Sequence, residues 1–170
     1  MQNFADQTRV DTEHRYRVDM LRLTKCVAAL TPAQETSIIY GEWTVRELLQ
    51  HIAAWDRELV RGFRQLRAGR RPSLAGYDEA EFNARAARVR GDVSLPHLLD
   101  DAHEAHEELV ALMETLSEAE WRRPTAHRWS NGAPMTVGSL FSYQCHGESH
   151  YAGHAREIED WAAGLPPPAA

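Results

Sequence analysis

Apolar residues recur at steps of three and four along four stretches of the chain, and each stretch predicts an amphipathic helix. In the first, from about Asp11 to Leu30, the stripe is Tyr16, Met20, Leu23, Val27 and Leu30. In the second it is Leu48, Ile52, Trp55, Leu59, Phe63 and Leu66. Thr44 and Glu47 form a T-x-x-E capping box before this run, and Gly69 stands where a C′ residue belongs. Arg64, Arg67, Arg70 and Arg71 crowd that end, where the helix dipole favours positive charge; they read as a solvated helix end rather than a site for an anionic cofactor. The third stretch runs from Ser94 to about Leu116 with Leu98, Ala102, Leu109, Met113 and Leu116, flanked by Leu95, Leu99, Ala105 and Leu112. The fourth runs from Thr136 to Trp161 and reads as one long helix. Its stripe is Leu140, Tyr143, Gly147, His150, His154, Ile158 and Trp161, with Thr136 as N-cap and Gly164 and Pro166 as the stop.

The connections follow from composition. TPAQET, after the first helix, reads as a turn. RPSLAGY is a loop, and the following DEAEFNARAARVR predicts a short helix capped by Asp78 and Glu81, resting on the bundle through Phe82, Ala86 and Val89. Ser117 and Glu120 predict one short turn of helix, and residues 122–135, with Pro124, Pro134 and Ser130-Asn131-Gly132, form a loop. No repeat and no strand-period segment of useful length is present. Four long amphipathic helices predict an all-α four-helix bundle, one domain over residues 1–164, with a Pro-rich disordered tail at 165–170. The long connection between the second and third helices permits a crossover.

Composition narrows the partners. A formal charge of −6 argues against a general nucleic-acid binder, which needs an excess of Lys and Arg. No apolar run is long enough to cross a membrane, and the N-terminus has no signal-peptide pattern. The two cysteines, Cys26 and Cys145, both fall in predicted helices, Cys145 as a core residue, so a reduced, cytoplasmic setting is expected.

The chemistry lies in the nine histidines. His150 and His154 are one turn apart in the middle of an apolar stripe, so both imidazoles lie on the core-facing side and can reach one ion. His51 lies one turn after Leu48, on or beside the core face of the second helix, and supplies a third ligand. Three imidazoles leave a coordination position open on a Zn²⁺-like ion, as catalysis requires. His146 makes a second H-x-x-x-H pair with His150 but falls off the stripe, and it is assigned a flanking role. His14, His103 and His127 read as solvated, and His106 as nearer the core side.

GEWTVRELLQHIAAWD resembles the second-helix signature of the DinB/YfiT-like metalloenzyme superfamily, with its histidine at His51. HYAGHAREI resembles the family's fourth-helix H-x-x-x-H-x-x-x-I ending at His150, His154 and Ile158. The region from Gly76 to Trp121 is similar to the ClbS/DfsB-like branch. The resemblance implies an up-down-down-up bundle, often a homodimer, with Zn²⁺ or Ni²⁺ held by three histidines. It also implies a thiol-dependent S-transferase using a low-molecular-weight thiol such as bacillithiol or mycothiol, or a hydrolase, acting on a small electrophilic molecule. The alternative it implies is a non-catalytic sequestration protein of the ClbS-like resistance type. A resistance hydrolase of that branch lacks the triad, which this chain keeps. The commoner H-R-G-Q ending is here His154-Ala155-Arg156-Glu157.

Overall fold

A computed structural model describes residues 7–88, 93–142, 144–145 (backbone only) and 148–164. Four long helices build the core: α1 (Arg9–Ala28), α3 (Val45–Arg67), α5 (Leu95–Glu114) and α8 (His150–Ala162). Shorter pieces connect them: α2 (Pro32–Glu35), the hairpin β1 (Ile38–Tyr40) and β2 (Trp43–Thr44), a 3₁₀ turn (Ser73–Gly76), α4 (Glu79–Ala86), α6 (Glu118–Arg122), α7 (Val137–Leu140), and the hairpin β3 (Gln144–Cys145) and β4 (Glu148–Ser149).

Local signals explain the helix ends. The Thr44 side chain accepts from the Arg46 amide while Glu47 reaches back to the Thr44 amide at 2.8 Å, closing the capping box of α3. At its other end Gly69, at φ 70°, lets its own amide bond Leu66 O and the Arg70 amide bond Gln65 O, a Schellman motif. Ser94 caps α5, Asp78 caps α4, and Ser117 with Glu120 caps α6.

Cross-helix pairs give the helix directions. Arg57 meets Asp101 and Arg64 meets Glu108, an advance of seven on both helices, so α3 and α5 run parallel. Asp19 meets Ser149 and Arg22 meets Glu159, so α1 and α8 run parallel. Arg17 meets Glu114 whereas Thr24 meets His103, so α1 and α5 are antiparallel. The result is the up-down-down-up four-helix bundle. Parallel neighbours need a connection that returns along the bundle, and the 3₁₀ turn and α4 supply it between α3 and α5. The stripes of the first three long helices are buried as the periodicity predicts, with Leu23, Leu48, Ile52, Leu109 and Met113 inaccessible to solvent.

Three segments depart from the sequence reading. The stretch 136–161 is not one helix: α7 ends after one turn, β3 and β4 follow, and α8 starts afresh at His150. Ser149 caps α8, accepting from the Ala152 amide at 3.3 Å, and Ser142 bonds back to Ser139 O at 2.8 Å. Such side-chain bonds compete with a continuous helical ladder. Cys145 therefore lies in a strand; His146 and the tail 165–170 fall outside the described residues, as does Val89. TPAQET is not only a turn, since Pro32–Glu35 is helical and the β1–β2 hairpin follows it. His103 and His127 are not simply solvated. His103 is half-buried with Nε2 2.7 Å from Thr24 Oγ1, and His127 Nε2 lies 3.2 Å from Gly69 O.

Gly138 marks the tightest approach between connecting elements. A Cβ there would stand 2.6 Å from the Trp121 indole nitrogen, and that ring is held by its bond to Gln7 O at 3.2 Å and by stacking on Phe141. Gly138→Ala is expected to cost about 1–3 kcal/mol in urea unfolding. Gly76→Ala, with nothing within 4 Å of its added methyl group, should leave the midpoint nearly unchanged.

Candidate metal centre

The three histidines singled out by sequence converge. His51 comes from the second turn of α3, and His150 and His154 come from the first two turns of α8. Each has at most 5% of its surface exposed. Their ligand atoms all lie within 4.8 Å of one another, close enough to share one ion. The His51 and His150 Nε2 atoms are 2.9 Å apart, and the three ring centroids are separated by 4.7 to 5.1 Å.

The environment keeps His51 and His150 uncharged. Burial pushes the His51 imidazole down to about 3, with His154 adding to the effect. His150 is likewise held well below its ordinary value by burial, then by His154 and His51. Neutral imidazoles are what a metal ion needs. The His154 Nδ1 lies 2.7 Å from the buried Glu157 Oε2. With Glu157 ionised and the ring neutral, the proton sits on Nδ1, and Nε2 is the lone-pair atom turned to the cluster. The His51 Nδ1 is buried with no hydrogen-bond partner. Three neutral nitrogen donors with an outer carboxylate suit Zn²⁺ or a neighbouring late first-row ion, so the residues present fit a metal.

Two aromatic rings shield His51. Trp43 packs edge-on at 5.0 Å and Trp55 at 6.4 Å. The β1–β2 hairpin delivers Trp43, whose place in the site periodicity does not reveal. On the side of His150 a cavity of about 340 Å³ opens, walled by Tyr16, Trp55, Tyr77 and Trp129.

A second buried polar chain crosses the bundle beside the triad. Tyr151 Oη donates to Asp56 Oδ2 at 2.7 Å, and His106 Nδ1 lies 3.1 Å from the same hydroxyl. With the Tyr151 proton given to Asp56, His106 must donate through Nδ1–H. The chain ties α3, α8 and α5 together next to His150. Burial raises the Asp56 carboxyl to about 8, with Tyr151 and Arg57 pulling the other way. It lowers His106 to about 4. Sequence reasoning missed Asp56, Tyr151 and Glu157. A signal existed for Asp56, a charged residue in the second apolar row Leu49, Ala53, Asp56, Val60 of α3. Another existed for Glu157, three residues beyond His154 on the same helical face.

The raised Asp56 has a pH signature. The folded protein holds this proton while the unfolded chain has lost it. The stabilisation is therefore full below about pH 4 and is lost as the pH rises through about 8. The buried histidines titrate with the opposite sign but are common to wild type and variant. Asp56→Asn should therefore gain stability relative to wild type by roughly 3 kcal/mol between pH 5 and pH 8. Paired urea titrations at the two pH values measure this. A difference that does not change with pH would show that Asp56 ionises as freely as in the unfolded chain.

Solved structures share this fold. An uncharacterised protein from Escherichia coli UTI89 is 16% identical with a TM-score of 0.73, over 93% of this chain and 94% of that one. The colibactin self-resistance protein ClbS, solved with a double-stranded DNA, is 16% identical with a TM-score of 0.72, over 94% of this chain and 98% of that one. The mycothiol-dependent maleylpyruvate isomerase is 16% identical with a TM-score of 0.63; the match covers 100% of this chain and 65% of that one. No curated protein matches the chain in sequence. The model of the DinB superfamily matches residues 17–158, a span that carries His51, His150 and His154 on their helices, and the chain belongs to the DinB superfamily.

Proposed function

We propose that the protein is a metal-dependent enzyme in which His51, His150 and His154 hold one divalent ion, Zn²⁺ or Ni²⁺. The reaction class is thiol-dependent S-transfer or hydrolysis on a small electrophilic molecule. The observation that carries this reading is the meeting of three buried imidazoles, one of which, His150, lines a cavity of about 340 Å³. When bound, such an ion lowers the pKa of a thiol or water and so supplies a nucleophile near neutral pH. The chain's own residues do the rest. Glu157 holds the proton of His154 on Nδ1 and so fixes the ring's orientation. Trp43 and Trp55 keep water from the buried side of His51. The cavity beside His150 receives the substrate.

The relatives support the reading by kind. One structural neighbour is a mycothiol-dependent isomerase, which makes a low-molecular-weight thiol the first co-substrate to try. The double-stranded DNA bound to ClbS belongs to that protein. The net charge of −6 here weighs toward a small-molecule partner. A cytoplasmic homodimer is part of the proposal. Val10, Val18 and Leu21, exposed on the outer side of α1, are the apolar surface it would cover.

A second reading, sequestration without turnover, draws support from the self-resistance protein among the neighbours. Saturable binding by metal-loaded protein with candidate thiols present, and no product, would favour it.

Elemental mass spectrometry on protein purified without added metal or chelator should find about one ion per chain. His51→Ala should lose that ion while its circular dichroism stays that of a folded bundle, and unchanged metal content in this variant would sink the assignment. Glu157→Gln leaves all three ligands in place. It is expected to weaken metal affinity about 10–100-fold in a competition titration with a chromogenic chelator. An unaltered affinity would mean that Glu157 serves the fold and not the site.

A further inference from the structure

The cavity beside His150 has a chemistry of its own, and the inference drawn from it rests on the metal-centre reading above. Four aromatic side chains wall it: Tyr16, Trp55, Tyr77 and Trp129. The polar tip of each is already engaged by the protein. Trp55 Nε1 donates to Asn83 Oδ1 at 2.9 Å, and Trp129 Nε1 donates to Ser139 Oγ at 2.9 Å. Tyr77 Oη donates to Glu58 Oε2 at 2.8 Å, and Tyr16 Oη lies 3.4 Å from Phe141 O. What these four residues present to the cavity is therefore ring carbon. Leu59, Leu74 and Leu140 add aliphatic surface between them.

Charge is as informative as shape. Among the described residues no Lys or Arg lines the cavity, and its one carboxylate, Glu79, is exposed at the edge. A carboxylate or phosphate carried on the part of the ring system away from His150 would lie between aromatic walls with no Lys or Arg to pair it, a costly burial. A cationic ligand would find aromatic faces that suit it, but it would also face the divalent ion that His150 would help to hold. That repulsion disfavours a positive charge on the end of the ligand that faces His150. An uncharged ligand meets neither cost. A volume of about 340 Å³ lies at the low end of small-molecule sites, enough for one or two fused rings with a small substituent.

We propose that this cavity selects an uncharged, flat aromatic molecule of one or two fused rings, seated against Trp55, Tyr77 and Trp129 with its polar, reacting substituent toward His150. The substrate class of the metal centre is thereby a neutral aromatic or conjugated electrophile and not a free dicarboxylate or a phosphorylated metabolite. Stacking supplies the selectivity for flatness, since offset and edge-on ring contacts add to simple area burial.

Three probes of one shape test this on metal-loaded protein: 2-naphthamide, 2-naphthoate and 2-naphthamidine, which are neutral, anionic and cationic at pH 7. A fourth, the fully saturated decalin-2-carboxamide, keeps the amide and loses the flat ring. Binding is read by quenching of tryptophan fluorescence and checked by equilibrium dialysis, with metal content measured on the same samples. The expected result is that 2-naphthamide binds at least tenfold more tightly than each of the other three. Trp129→Leu and Tyr77→Leu should each weaken it at least fivefold with metal content unchanged. Two positions are used because Trp129 also packs on the core, and thermal melts identify any variant that fails to fold. Equal or tighter binding of the carboxylate, the amidine or the saturated amide by metal-loaded protein overturns the inference and leaves the metal centre standing. Failure to bind 2-naphthamide at all, or indifference to both substitutions, overturns it as well. Selective binding of the amide by protein that takes up no metal overturns the metal reading and leaves the cavity's preference for neutral rings intact.

Discussion

The constraint on which the rest depends is the burial of three imidazoles, from two helices, in one uncharged cluster. Burial disfavours the protonated forms of His51 and His150, and the neighbouring rings add to the effect, so these two rings stay neutral. Neutral rings still carry polar nitrogens that need partners in a site closed to water. Here His51 and His150 meet each other and His154 meets Glu157, while the His51 Nδ1 has no hydrogen-bond partner. That solution works only if α3 and α8 keep one register, because a shift by a turn would carry His51 away from His150. The Asp56–Tyr151–His106 chain holds the register from inside, one residue along α8 from His150 and five along α3 from His51. Packing and chemistry are thus the same problem in this core: the buried polar groups are tolerable because they meet each other.

Topology divides labour around that cluster. The ligands sit on long helices whose apolar stripes lock them together, which suits groups that must hold a fixed geometry. The walls of the adjoining cavity come largely from connections. Leu74 belongs to the 3₁₀ turn and Tyr77 follows it, Trp129 sits in the loop after α6, and Leu140 ends α7. The crossover that lets α3 and α5 run parallel is also the segment that closes one side of the cavity. Connections change more freely than helices, so the geometry of the three histidines can stay constant while the pocket beside it is recut.

Much of this was legible in the sequence, for a physical reason: helical phase survives whatever joins the helices. The spacing of His150 and His154, and the step from Leu48 to His51, place the rings on core faces regardless of how the chain travels between them. The same insensitivity explains the error at 136–161. Leu140 and His150 both reach the core, so the stripe looks continuous, yet α7 stops and α8 begins on a new cap at Ser149. Periodicity cannot distinguish one helix from two that re-enter the core in phase. The contrary signal was Ser142 and Ser149, whose side chains compete for backbone groups. Asp56 escaped because a single carboxylate in an apolar row looks like noise until its partner Tyr151, 95 residues away, is brought to it. Trp43 escaped because its role depends on a hairpin too short to show a strand period.

Residue 157 shows how one atom can set the character of such a site. Where the commoner H-R-G-Q ending would carry a glutamine amide, this chain carries Glu157, buried and 2.7 Å from His154 Nδ1. An amide can donate or accept, so it tolerates either tautomer of the ring. A carboxylate accepts only, so it commits His154 to Nδ1–H and directs the Nε2 lone pair at the cluster. It also raises the basicity of that nitrogen and places one negative charge beside three neutral donors. A divalent cation entering a purely neutral cluster would bring two uncompensated charges into the core. An ionised Glu157 would offset one of them. A carboxyl in place of an amide at this one position thus ties His154 to a single buried oxygen partner and sets the orientation of one ring in the three-histidine frame.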